Sequence, residues 1–126
     1  NDGKEFIKKY PTNPDIPEIM LELAHSYQKV GLFKDMEYFF DRLLEEHKGT
    51  PQSIRADIFI GDSYAGIGRI DEALEYYEKA LANATELKTA ALASNRLAEY
   101  HQSKGALKKA KMYYQKIISS YPEYFQ

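Results

Sequence analysis

Three stretches decide how this chain is read: Leu23-Ala24-His25-Ser26-Tyr27, Ile60-Gly61-Asp62-Ser63-Tyr64 and Leu97-Ala98-Glu99-Tyr100-His101. Each begins 37 residues after the one before it and sets a large apolar residue, a small residue and a ring in the same order. The register runs on through Gly31, Gly68 and Gly105, then Phe33, Ile70 and Leu107, then Phe40, Tyr77 and Tyr114. Three periods back from Tyr121-Pro122 lies Tyr10-Pro11, so Glu5-Phe6-Ile7-Lys8-Lys9 reads as the end of an earlier, truncated unit. A fixed period of this length marks an array of supersecondary units that share one continuous core. The expected organisation is a single array over 1–126, with repeats at 11–47, 48–84 and 85–122 and the end of a preceding repeat at 1–10.

Within each unit, apolar residues recur at three- and four-residue spacing on both sides of the glycine, as in Leu74, Tyr77, Ala80 and Leu81. That pattern predicts helices near 17–30, 33–48, 53–67, 70–84, 88–104 and 107–120. The glycines end the first helix of each unit, and Asp35 and Asp71-Glu72 bring negative charge to the positive end of the second. Pro11, Pro14, Pro17 and Pro51 fall between helices, and no stretch alternates with the period of a strand. The fold class is all-α. Ala24, Gly61 and Ala98 on the first helices, with Ala73, Ala80 and Ala110 on the second, leave room for close helix packing.

Composition narrows the function. The chain has 126 residues, 17 Lys+Arg against 19 Asp+Glu, 44% hydrophobic residues and no cysteine. This is a globular balance without the basic excess of a general nucleic-acid binder, so no nucleic-acid partner is expected. The lack of cysteine excludes disulfides, thiolate metal sites and a cysteine nucleophile. No apolar run approaches the roughly 20 residues that span a bilayer, so no direct membrane insertion is expected. Charge is unevenly placed: residues 1–85 carry ten basic and sixteen acidic side chains, residues 86–126 seven and three. Lys104, Lys108, Lys109, Lys111 and Lys116 concentrate the excess near the last helix, a polarity suited to self-association of unlike ends.

Apparent chemical motifs do not hold together. Glu22 and His25 have the Glu-x-x-His spacing of a di-iron bundle, but the equivalent places are Phe59/Asp62 and Arg96/Glu99. Gly61-Asp62-Ser63-Tyr64-Ala65 lacks the last glycine and the strand–turn–helix setting of a nucleophile elbow. Gly66-Ile67-Gly68 lacks the third glycine of a phosphate loop. Asn83-Ala84-Thr85 is a formal glycosylation sequon. No catalytic residue, metal set or cofactor is expected, and the chain is not read as an enzyme.

The repeated residues resemble the tetratricopeptide repeat. Ile60, Gly61, Tyr64, Gly68, Ala73, Tyr77 and Ala80 carry the pattern most fully, Leu97, Ala98, Gly105, Ala110, Tyr114 and Pro122 repeat it, and Leu23, Ala24, Tyr27, Gly31 and Phe40 keep it with bulkier Met36 and Leu43. Asp57 and Ser94 depart from the large apolar residue usual early in the first helix, which Met20 retains. The resemblance implies a right-handed superhelix, an α-solenoid of stacked antiparallel helix pairs, that binds proteins or peptides. It places the first helix of each pair on a concave surface whose binding groove is formed by Leu21, Glu22, His25, Arg55, Ile58, Phe59, Asp62, Leu92, Asn95, Arg96 and Glu99. Ile58 and Phe59 would form an apolar pocket, with Arg96 or Arg55 as a polar fixture. Of the carboxylate clamp found in chaperone-binding members, only Arg96 has a matching place; Leu21, His25, Phe59 and Leu92 hold the others.

The 37-residue unit with Tyr-Pro endings also resembles repeats of bacterial envelope and outer-membrane assembly proteins, favouring a bacterial periplasm or envelope over the cytoplasm. The opening without Met, the half-repeat in front and the lack of a polar cap after Tyr121 imply a segment of a larger scaffold. Homotypic assembly through the solenoid ends, and the positioning of a separate enzyme or regulatory domain, are the alternative roles.

Overall fold

The structure, a computed structural model, describes residues 2–125; Asn1 and Gln126, the outermost residues of the expected array, lie outside the described residues. Among the described residues seven α-helices follow one another: α1 (Asp2–Lys9), α2 (Ile16–Val30), α3 (Phe33–Glu46), α4 (Pro51–Gly66), α5 (Ile70–Asn83), α6 (Leu87–Ser103) and α7 (Leu107–Ser120), with a short 3-10 turn at Pro122–Tyr124. No strand occurs among the described residues. The fold is an all-α helical-repeat solenoid in which α2/α3, α4/α5 and α6/α7 form successive hairpins. Helix α3 stops at Glu46, two residues before the expected end. His47 to Thr50 make a turn in which the Thr50 hydroxyl donates to the His47 carbonyl at 2.7 Å. Helix α4 then starts two residues early, because Thr50 caps it by accepting from the Ser53 amide and Pro51 supplies its first residue.

The hairpin turns are three copies of one device. Gly31, Gly68 and Gly105 take φ of 81°, 82° and 76°, a region that costs a side chain about 1 kcal/mol or more. The amide after each glycine returns to the carbonyl five residues earlier: Leu32 to Tyr27, Arg69 to Tyr64 and Ala106 to His101. Those carbonyls belong to the three ring residues, whose side chains stack on the second helix of the same hairpin. The pairs are Tyr27 on Phe39 (centroids 6.1 Å, planes 11° apart), Tyr64 on Tyr76 (5.4 Å, 18°) and His101 on Tyr113 (5.7 Å, 8°). One short sequence thus both closes the turn and clamps the helices beside it.

Two apolar clusters make the core. The first joins α1, α2 and α3, with Ala56 of α4; the second joins α4, α5, α6 and α7. The expected equivalence of Phe40, Tyr77 and Tyr114 holds in register but not in burial. Phe40 and Tyr77 are 2% and 5% exposed, whereas Tyr114 is 41% exposed. The first two are covered by the hairpin that follows; no hairpin packs on that flank of α7 among the described residues. Tyr113 is the buried ring there, and its hydroxyl donates to Glu78 of α5. Burial and the Glu78 carboxylate push its hydroxyl up to about 12.

Small residues sit where helices touch. A Cβ on Gly61 would lie 2.7 Å from the Tyr77 ring and 3.1 Å from the Ala73 carbonyl. Gly61→Ala therefore forces the ring or the helix outward and is expected to cost about 1–3 kcal/mol, as is Ala98→Leu at a fully buried site. Urea unfolding of both variants measures this, and unchanged midpoints would refute the packing described.

Asp57 is buried, with Lys79 Nζ 3.7 Å from a carboxylate oxygen that has no hydrogen bond. Burial raises its carboxyl above the ordinary range, and Lys79 offsets part of that rise. A carboxyl whose folded value is raised favours the fold in its protonated form. Its contribution is lost as pH climbs from the ordinary carboxylate range through the raised value. Asp57→Asn should accordingly gain stability relative to the native chain as pH rises from about 4 to 7, as read by chemical melts at each pH.

Candidate functional site

The two sets of helices lie on opposite sides of the solenoid. The backbones of α2, α4 and α6 approach one another from hairpin to hairpin, while those of α3, α5 and α7 do not. The first helices therefore form the tight, inner side and the second helices the splayed, outer side. The expected groove residues all lie on the first helices, but they divide into three groups by what they touch.

Leu21 and Ile58 are core residues, 3% and 0% exposed, and do not line an open groove. They are one period apart and turned under the following hairpin, which buries them. The third copy of that position is Asn95, which no hairpin covers among the described residues and which is exposed. The pocket expected from Ile58 and Phe59 together thus reduces to Phe59.

A second group ties neighbouring hairpins together. His25 stacks on Phe59 with centroids 4.0 Å apart and planes within 13°. One period further on, the same two positions are Asp62 and Arg96, joined by two hydrogen bonds of 2.9 and 3.1 Å. The Tyr77 hydroxyl donates to the same Asp62 carboxylate at 2.5 Å. Hydrogen bonding to Asp62 raises the Arg96 value, while burial, then Asp62, raises that of Tyr77. Arg55 donates to Glu18 at 2.9 Å across one period, and Gln52 reaches the same carboxylate at 3.3 Å. Gln28 bridges to the Phe59 carbonyl and the Ser63 hydroxyl, both at 2.7 Å. Arg96 and Arg55 are consequently held by carboxylates of the neighbouring hairpin and are not unclaimed fixtures for a ligand anion.

Glu22, Asn95 and Glu99 form the third group and are exposed, with Leu92 half-buried against the second core cluster. Glu22 occupies the position of Phe59 and Arg96, and Glu99 that of His25 and Asp62, but among the described residues neither is engaged by a neighbouring first helix. The pairs across hairpins are not apparent from the residues taken singly. The signal lay in the 34-residue spacing of His25–Phe59 and Asp62–Arg96, one period less about a turn of helix. No group of three or more His, Asp or Glu gathers for a metal among the described residues.

The tetratricopeptide repeat family model matches residues 52–123, more than half of the chain, so this chain belongs to that family. The family is typically a non-enzymatic scaffold that mediates protein–protein interaction. No curated protein matches the sequence. Among the described residues no helix is long and apolar enough to cross a membrane.

Burial lowers the His25 value below that of an ordinary histidine; Lys29 and Arg96 push the same way and Asp62 opposes them. A histidine depressed in the fold contributes stability that is present above its unfolded value and lost as pH falls through the folded one. The chain should lose stability below about pH 6.5, and His25→Gln should remove that part of the loss; thermal melts between pH 7.5 and 5 read the difference.

Proposed function

We propose that this chain is a protein-binding module whose inner face, along α2, α4 and α6, receives a peptide or a partner helix. The observation that supports this most directly is the half-buried ring pair His25–Phe59 at the middle of that face, flanked by the exposed Glu22, Asn95 and Glu99. A ring anchor inside a rim of exposed polar groups is the pattern of a binding hot spot. The array would comprise repeats at 11–47, 48–84 and 85–122 after the end of a preceding one at 1–10. The 37-residue unit and its Tyr-Pro endings support a setting within a bacterial envelope scaffold.

Self-association is a second reading, favoured by the uncovered flank of α7. There Tyr114 and Ile118 are exposed among lysines, while residues 1–85 carry the acidic excess. Sedimentation at low and high salt tests it: mass that rises with concentration and falls with salt is the expected result, and a single monomer under all conditions removes the reading.

The inner face is tested by cross-linked pull-down from cells. A partner should be lost with Glu22→Arg/Phe59→Ala/Glu99→Arg and retained with Lys109→Glu/Lys116→Glu, both variants first shown to be folded by circular dichroism. Equal recovery with the first variant refutes the inner-face assignment.

A further inference from the structure

The junction between the first and second hairpins is less completely filled than the junction between the second and third. A cleft of about 790 Å³ opens there, within the range of ligand pockets. Its walls are the outer helix α3, the ends of α2 and α4, and the ring of Tyr76. It opens toward the two glycine turns, where Phe33 and Ile67 are 56% and 68% exposed, and so lies apart from the His25–Phe59 pair. This is also where the apolar core divides into its two clusters.

The next junction shows what is missing. One period on from Glu37 stands Leu74, which packs against the second cluster. One period on from Asp41 stands Glu78, whose carboxylate takes the Tyr113 hydroxyl. One period on from Ser63 stands the much larger Tyr100. At the first junction, Glu37 and Asp41 sit one helical turn apart on the same wall and have no cation among the ion pairs of the described residues. Of the two cations that border the cleft, Arg69 is already held by Glu72 at 2.6 Å and lies over the Tyr64 ring. Lys29 stands on α2. The first junction therefore has Ser63 in place of a ring, and among the described residues neither Lys29 nor Arg69 forms an ion pair with Glu37 or Asp41.

The geometry points to a second recognition site in this cleft, for a protein segment bearing an aromatic side chain and a lysine or arginine about one helical turn away. The ring lies beside Ser63, where the next repeat carries Tyr100, against the accessible Phe33, Ile60 and Ile67. The cation meets the exposed carboxylates of Glu37 and Asp41, which set selectivity more than affinity. This site is independent of the inner face, so either can fail without the other.

The test uses the 126-residue chain, labelled with ¹⁵N, and two blocked tetrapeptide probes, Trp-Ala-Ala-Arg and Trp-Ala-Ala-Glu. The arginine probe should move the amide resonances of Phe33, Tyr64 and Ile67 with saturation near a millimolar Kd, and about fivefold more tightly than the glutamate probe. Glu37→Gln/Asp41→Asn, at two exposed positions that leave the core untouched, should erase the preference between probes. Ser63→Tyr, which copies the next junction, should abolish binding if its spectrum remains that of a folded chain. No saturable shift, equal affinity for both probes, shifts confined to Glu22 and Glu99, or a preference that survives Glu37→Gln/Asp41→Asn would each overturn the proposal.

Discussion

No hairpin in this chain can bury its own apolar flank, and each depends on its neighbour to cover it. Phe40 and Tyr77 are nearly inaccessible because another hairpin lies over them, while Tyr114, in the same register, is open. The same holds for Leu21 and Ile58 against Asn95. Burial here is a property of position in the stack as much as of residue type. The close approach of Gly61 to Tyr77 and the complete burial of Ala98 follow from the same requirement, since first and second helices must come near enough for one hairpin to cover the next.

Stacking also explains why the inner face is built largely from groups that bind each other. His25–Phe59 and Asp62–Arg96 are one contact made twice, first with two rings and then with a two-bond ion pair. Two chemistries satisfy one geometry because both are flat and both span the same separation between adjacent first helices. The ring version leaves an apolar, half-buried surface in the middle of the face. The ionic version is reinforced by Tyr77 and ties the second hairpin to the third.

The two junctions are unequal for a similar reason. Tyr113 reaches back to Glu78 and Leu74 joins the core, which draws the second and third hairpins into one cluster. Glu37 and Asp41 at the first junction have no such partners, and a cleft remains. A repeat keeps its turn chemistry, seen in the matching returns to Tyr27, Tyr64 and His101, while the residues between hairpins vary and set how tightly the stack closes.

The period of 37, the three turn glycines and the spacing of apolar residues were enough to establish an all-α array and six helices to within about two residues. These are local properties: a left-handed glycine and a 3.6-residue period act within one hairpin. The first helices could likewise be named as the candidate face from the family resemblance. Tertiary structure alone decided which of those residues remain accessible. Leu21, Ile58 and Asn95 are equivalent in sequence register, and Arg96 looks like a free cation until Asp62 is seen beside it. Both outcomes depend on how far neighbouring hairpins are offset and on whether a neighbour is there at all, and neither quantity is written in the residue that it buries or pairs.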